Sequence, residues 1–107
     1  MSYQRGNQLY EAGRYQEAVR EYQAALRESD DPDLYENLGL ALWQLQDWRP
    51  AARCLLRALD GDYGKKEQLL RVLVSCFFRD GRSLDGERLL GEYEARFGAH
   101  PEGWKRL

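Results

Sequence analysis

The sequence contains no isoleucine and no threonine, and it has only three valines. β-branched residues are enriched in strands, so this shortage excludes a fold built mainly on β-sheet. Leucine occurs 17 times, alanine 10 times and arginine 13 times. These three residue types favour helices. The composition therefore predicts an all-α fold.

Residues that build metal and redox sites are also scarce. The chain has one histidine, His100, and two cysteines, Cys54 and Cys76, which lie 22 positions apart. A structural zinc site takes about four clustered ligands, and this spacing offers none. We expect no metal and no cofactor, and we expect two buried, reduced thiols, with a disulfide as the alternative.

Catalytic arrangements are missing from the sequence as well. A Ser-His-Asp triad would have to use His100, which falls in a predicted C-terminal tail. The glycines lie at predicted helix turns and close helix contacts rather than in a phosphate-binding loop. We predict that the chain is not an enzyme and has no catalytic residues.

Charge of neither sign is in large excess, since 16 basic and 18 acidic residues leave a net charge of -2. This balance provides no electrostatic footprint for nucleic acid and no polybasic attachment to a membrane. No apolar run approaches the ~18 residues of a membrane span, and the polar first ten residues lack the apolar core of a signal peptide. The sequence predicts one cytoplasmic domain over residues 1–107 that binds neither nucleic acid nor membrane.

Turn-forming residues divide the chain into six segments of helical composition. Five predicted helices cover residues 3–12, 15–28, 32–45, about 65–79 and about 84–97. The fourth of the six has Pro50 in its first turn and ends near Leu59, and residues 100–107 would add a short turn or fray. Asp31 is expected to cap the third helix, with Pro32 in its first turn, and Ser83 is expected to cap the sixth.

The six segments form an internal repeat of two helices. A shift of 33 residues superposes Gly6 on Gly39, Leu9 on Leu42, Tyr15 on Trp48, Ala18 on Ala51 and Ala25 on Ala58. A further shift of 35 residues relates the second pair of helices to the third. Such a period is typical of helical solenoids. The predicted repeats cover about 2–31, 32–62 and 63–98, followed by a tail over 99–107.

The repeat also has a recognisable residue pattern. The second repeat contains Tyr35-x2-Leu38-Gly39-x2-Leu42, then Ala51-x3-Leu55 and Ala58. This resembles the tetratricopeptide repeat (TPR) pattern W-x2-L-G-x2-Y, A-x3-F, A. The third repeat departs from it, with Val74, Ser83 and Gly86 where glycine, an aromatic residue and alanine are expected. The resemblance implies a right-handed solenoid of three helix pairs.

The resemblance further implies a concave groove, lined by the first helix of each repeat, that binds a peptide or helix of another protein. Its predicted partner-binding residues are Asn7, Tyr10, Glu11, Asn37, Leu40, Trp43, Gln44, Arg71, Ser75, Phe78 and Arg79. One position is aromatic in all three repeats, as Tyr10, Trp43 and Phe78. Aromatic residues dominate the energetics of protein interfaces. In this interpretation the asparagines bond the partner backbone, and Glu11 and Arg79 set its charge preference. The alternative is that the three rings pack between repeats or against the tail.

Three other functions remain open at this point. Asn7 and Asn37 resemble residues with which some TPR co-chaperones hold a partner's C-terminal carboxylate, although Tyr3, Gln68 and Val72 stand where that clamp has basic residues. Small cytoplasmic chaperones of bacterial secretion systems also stack three TPRs. A self-assembling solenoid is the third alternative, through apolar residues at 72–74, 77–78 and 89–90.

Overall fold

A computed structural model describes residues 2–60, 62 and 66–98 and shows six α-helices. Their bounds are α1 (Ser2–Glu11), α2 (Tyr15–Leu26), α3 (Pro32–Gln44), α4 (Trp48–Leu59), α5 (Glu67–Arg79) and α6 (Ser83–Phe97). Every bound that the sequence predicts lies within two residues of its predicted position, and Pro50 lies in the first turn of α4 as expected. The described residues form no strand, which confirms the all-α prediction. The predicted tail over 99–107 lies outside the described residues.

The two predicted helix caps have different outcomes. The Asp31 carboxylate accepts a hydrogen bond of 2.9 Å from the backbone N–H of Asp33, as expected for the cap of α3. The prediction for Ser83 is wrong, because Ser83 is the first residue of α6 and Arg82 is the capping residue. The Arg82 backbone turns into the helix one residue earlier, directly after the left-handed Gly81.

The same tight turn joins the two helices of each pair. Gly13, Gln46 and Gly81 have positive φ angles of 78°, 63° and 75°. The residue after each donates its backbone N–H to the carbonyl five positions earlier, at 2.8 Å for Arg14 and 2.9 Å for Asp47. These turns recur at the spacing of the sequence repeat, and they make the helix pairs equivalent. Of these three turn residues, Gln46 is the one that adopts the left-handed conformation with a side chain, at a cost of roughly 1–2 kcal/mol.

The helices stack in chain order as three pairs. Among the described residues, α2 packs against α1 and α3, α4 packs against α3 and α5, and α6 packs against α5. The first helices of the pairs also approach one another, since α3 lies close to both α1 and α5, whereas the backbones of α2 and α4 lie further apart. The side on which the first helices meet is therefore the narrower, concave side of a helical solenoid.

Small residues set the close approach of the paired helices. A Cβ at Gly6 would lie 2.6 Å from the Tyr22 ring, and a Cβ at Gly39 would lie 2.9 Å from the Leu55 side chain. In the third pair the glycine at a close helix contact lies in the second helix of the pair rather than in the first. Val74 is fully buried in α5, and it is Gly86 in α6 that makes room for the Phe78 ring, 2.9 Å from its missing Cβ. In the third repeat the departure at Gly86 therefore accommodates the Phe78 ring.

Gly39 and Gly91 are expected to respond to alanine with opposite signs. Gly39→Ala forces a methyl group into the fully buried Leu55 and should lower the free energy of unfolding by about 1–3 kcal/mol. Gly91 is exposed in α6, with nothing within 4 Å of its missing Cβ. Gly91→Ala should therefore raise the free energy of unfolding by about 0.5–1 kcal/mol. Urea denaturation of both variants measures the difference, and equal effects would contradict the close approach at Gly39.

Both cysteines are free thiols, and the expectation that both are buried is correct for Cys76 and wrong for Cys54. Cys76 is fully buried, and burial raises its pKa to about 12. Cys54 is half-buried, and burial raises its pKa to about 11. Thiols with such pKa values are poor nucleophiles at neutral pH. In the part of the chain that the structure describes, no helix has the length and apolar character needed to cross a membrane.

Candidate binding groove

The predicted partner-binding residues lie on the three helices of the concave side, which we call the groove. Helix α1 carries Asn7, Tyr10 and Glu11, α3 carries Asn37, Leu40, Trp43 and Gln44, and α5 carries Arg71, Ser75, Phe78 and Arg79. All of them are partly or fully exposed except Ser75. The expectation that Ser75 is an exposed groove position is wrong, since only 1% of it is accessible.

Two cavities open between the first two helix pairs. The smaller cavity, of about 240 Å³, is lined by Asn7, Tyr10, Glu11, Tyr22, Asn37 and Leu40. Five of these six residues are predicted partner-binding residues. The larger cavity, of about 700 Å³, is lined by Tyr3, Asn7, Ala25, Glu28, Ser29, Asp31, Asp33, Leu34 and Asn37. The cavities are adjacent, because both are lined by Asn7 and Asn37.

Asn7 and Asn37 form a hydrogen bond with each other beneath these cavities. Asn7 Oδ1 accepts a hydrogen bond of 2.6 Å from the Tyr22 hydroxyl and one of 3.2 Å from Asn37 Nδ2. Tyr22 occupies the consensus phenylalanine position and is 1% exposed. Tyr22 is not among the predicted groove residues, although its hydroxyl at an otherwise apolar position, opposite Gly6, was the available signal. This network fixes the side chain of Asn7 at the floor of the groove.

The Tyr22 hydroxyl is expected to make stability fall at high pH. Burial, with smaller contributions from Tyr10 and Glu11, raises the pKa of Tyr22 to about 12, whereas an unfolded tyrosine ionises near pH ~10. The unfolded state therefore releases this proton first, and the stabilisation is lost between about pH 10 and pH 12. Urea denaturation at pH 9 and pH 11 should show a smaller loss for Tyr22→Phe than for the wild type. An identical loss would show that Tyr22 titrates as it does in the unfolded chain.

The three aromatic residues of the groove differ in what they contact. Tyr10 lines the smaller cavity, stacks edge-on with Tyr15 at 5.2 Å, and accepts a 3.4 Å hydrogen bond from Gln44 Nε2. Trp43 donates its indole N–H to Ser75 Oγ at 3.3 Å and thereby connects the second and third helix pairs. Of the three rings, Tyr10 is the one that lines a groove cavity.

The Phe78 ring lies against Gly86 and is half-buried against the core. Together with the bond between Trp43 and Ser75, this contact is the packing that the sequence left open as the alternative to partner binding. The position that is aromatic in all three repeats therefore contributes to packing within and between the helix pairs.

Charges are distributed unevenly along the groove. The charged residues that line the two cavities are Glu11, Glu28, Asp31 and Asp33, all of which are acidic. Basic residues appear at the third pair, where Lys66 Nζ lies 2.6 Å from the Glu36 carboxylate and Arg79 lies over the Trp48 ring at 5.5 Å. The Glu36 carboxylate accepts a hydrogen bond from Lys66 and raises the pKa of that ammonium. The acidic surroundings of Asn7 and Asn37 do not favour a clamp for a carboxylate.

Comparison with known proteins agrees with this geometry. Residues 6–46 match the family model described as TPR repeat. The crystal structure of yeast Tom70 is similar over 97% of this chain, with a TM-score of 0.81 and 20% sequence identity. The chain spans 21% of the length of that Tom70 chain. A search of curated protein sequences finds no match.

These findings agree with the TPR resemblance over residues 6–46 and confirm the fold that the sequence predicts. Residues 6–46 carry TPR sequence, and the six helices form a helical-repeat solenoid of the TPR type. Solenoids of this kind present extended concave surfaces to other proteins. The chain is accordingly a protein-interaction module in general terms.

Proposed function

We propose that this chain is a non-enzymatic cytoplasmic adaptor that binds a segment of a partner protein in the groove. The smaller cavity is the observation that carries this proposal. Its lining joins apolar and polar side chains from α1 and α3, namely Tyr10, Leu40, Asn37 and Glu11. A few convergent polar groups beside apolar walls are what a recognition site needs.

The residues of the smaller cavity have complementary roles in this proposal. Tyr10 and Leu40 provide apolar contact area, and Asn37 and Glu11 provide hydrogen-bonding groups for the partner. Asn7 positions Asn37, because its side-chain oxygen accepts the bond from Asn37 Nδ2. Trp43 and Phe78 stabilise the groove through their packing contacts, and Arg79 provides a positive charge at its α5 end.

Self-assembly is less favoured than partner binding, because most of its proposed apolar surface is buried. Val72 and Phe78 are partly exposed, and the other five residues are in the core, with 6% or less of each exposed: Leu73, Val74, Phe77, Leu89 and Leu90. The outer face of α1 carries polar residues, whereas α6 exposes Leu84 and Phe97. Arg5 and Gln8 of α1 are exposed, although the equivalent residues of α3, Leu38 and Ala41, are buried. End-to-end stacking would bury these polar side chains.

Affinity capture from lysate, followed by mass spectrometry, tests the proposed groove. The two variants are Leu40→Gln in the smaller cavity and Leu84→Gln on α6, where the leucine is 89% exposed. A protein captured by the wild type and by Leu84→Gln, and lost from Leu40→Gln, is the expected result. Glu11→Lys, an exposed change in the same cavity, replaces Leu40→Gln if thermal melting shows that the latter is unfolded.

Equal capture by the groove variants and by Leu84→Gln would contradict the proposal. A chaperone of a secretion system would use the same groove, so the identity of the captured protein decides between an adaptor and such a chaperone. A secreted protein that is insoluble without this chain would favour the chaperone.

A further inference from the structure

The larger cavity has the size of a ligand pocket and an unusual distribution of charge. Its volume of about 700 Å³ lies within the range of about 300–1,000 Å³ that is typical of ligand pockets. The walls are the Tyr3, Asn7, Leu34 and Asn37 side chains of α1 and α3. The rest of the lining comes from the end of α2 and the connection to α3, which contribute Glu28, Ser29 and Asp31.

All charged residues lining the larger cavity, and the one lining the smaller cavity, are carboxylates. Glu11, Glu28 and Asp33 are exposed and form no ion pair within the described residues. The Asp31 carboxylate accepts one backbone N–H and keeps further acceptor capacity. No arginine or lysine side chain of the described residues lines either cavity.

This pattern differs from the rest of the described surface, where acidic residues are mostly paired. Glu17 pairs with Arg14 at 2.8 Å, and Asp80 pairs with Arg49 at 3.0 Å. Lys66, which pairs with Glu36, also acts electrostatically on Asp33. The four carboxylates that line the two cavities outnumber this one cation and leave a local negative potential. Clefts lined by charge of one sign concentrate ligands of the opposite sign.

From these observations we infer that the α1–α3 half of the groove binds a basic segment of the partner, with a lysine or arginine side chain in the larger cavity. This inference rests on the proposed function. Asn7 and Asn37 form the floor shared by the two cavities, so the segment would run from the larger cavity past Asn37 to Leu40. Glu28 and Asp33 would accept charge-assisted hydrogen bonds from the cation. The stem of a lysine or arginine would pack on Leu34 and Tyr3.

Peptide selection tests the charge preference without knowledge of the natural partner. Random dodecapeptides displayed on phage are selected in parallel on the wild-type chain, on Glu28→Gln/Asp33→Asn, and on Asp47→Asn/Asp60→Asn. Both double variants raise the net charge by two. Asp47 and Asp60 are exposed residues that line neither groove cavity. The last pair therefore controls for a general effect of charge.

The expected result is enrichment of peptides rich in lysine and arginine on the wild type and on Asp47→Asn/Asp60→Asn. Synthetic copies of these peptides should bind Glu28→Gln/Asp33→Asn at least tenfold more weakly in fluorescence anisotropy. Their affinity for the wild type should also fall as the salt concentration rises.

Three results would overturn the inference. Enriched peptides without an excess of basic residues, which lose affinity for Leu40→Gln, would place a different chemistry in the groove and leave the proposed function intact. Failure to select any peptide that is sensitive to Leu40→Gln or to Glu28→Gln/Asp33→Asn would count against both proposals. Equal loss of affinity in the two charge variants would show a nonspecific attraction and would also overturn the inference.

Discussion

Replacing Leu55 with alanine is expected to lower the free energy of unfolding by about 2–5 kcal/mol. Leu55 has no exposed surface, and it packs where α4 comes closest to α3, against Gly39. Removal of its side chain leaves a cavity between α3 and α4. The two helices are already packed closely, so they cannot move together to fill the cavity without a further loss of free energy. Domains of this size have total stabilities of about 5–15 kcal/mol, so the loss is a large share of the total. Urea denaturation followed by circular dichroism measures it.

The chain provides a matched control and a compensating change for Leu55→Ala. Leu84 is 89% exposed, so Leu84→Ala should change the free energy of unfolding by less than about 0.5 kcal/mol. Gly39→Ala should be less harmful in the Leu55→Ala background than alone, because its methyl group would enter the vacated space. Similar losses for Leu55→Ala and Leu84→Ala would contradict the packing of α3 on α4.

Trp43→Ala is expected to have the second large effect, a loss of about 3 kcal/mol in the free energy of unfolding. The indole of Trp43 is half-buried, and it donates a hydrogen bond of 3.3 Å to the hydroxyl of Ser75 in the next helix pair. Trp43→Phe keeps a ring but leaves that hydroxyl, on a residue 1% exposed, without its donor. The expected cost of this change is about 1 kcal/mol. Urea denaturation of both variants measures the two losses.

The size of the Trp43 effect also bears on the groove. A loss near 3 kcal/mol in Trp43→Ala, with partner binding retained by Trp43→Phe, would identify Trp43 as a packing residue between the second and third pairs. A loss below about 1 kcal/mol would show that its ring does not support the fold. In that case Trp43 would be a partner contact, as the sequence analysis proposed.

Most of the fold could be predicted because local residue patterns, at helix caps and turns, mark the helices of the repeat. Asp31 and Pro32 mark the start of α3, and the glycines at 13 and 81 mark two turns, so these helices begin where expected. Ser83 was misassigned because a serine is a common capping residue. The repeated turn places that role on the residue immediately after the left-handed Gly81, which is Arg82.

The candidate site was predictable to the extent that it follows the helix register. Asn7, Tyr10, Asn37 and Leu40 share one cavity because the 33-residue period places them on equivalent helix faces. The register does not show how far a side chain from a neighbouring helix extends. Ser75 was therefore expected to be exposed, although Trp43 covers it.

The larger cavity was not foreseen for a different reason. Part of its lining, at Glu28, Ser29 and Asp31, comes from the connection between α2 and α3. Helical periodicity does not extend into such a connection, so its side chains cannot be assigned to a face from the sequence.

Site-specific photo-crosslinking tests the central claim, that the groove binds a partner, most directly. A benzophenone amino acid is placed at Gln44, exposed on α3 in the groove, or at Arg53, exposed on α4. Mass spectrometry then identifies what each position captures. We predict that a single partner protein is crosslinked from position 44 and is absent from position 53. The same partner crosslinked from position 53 and not from position 44 would contradict the account and would move binding to another surface of the solenoid.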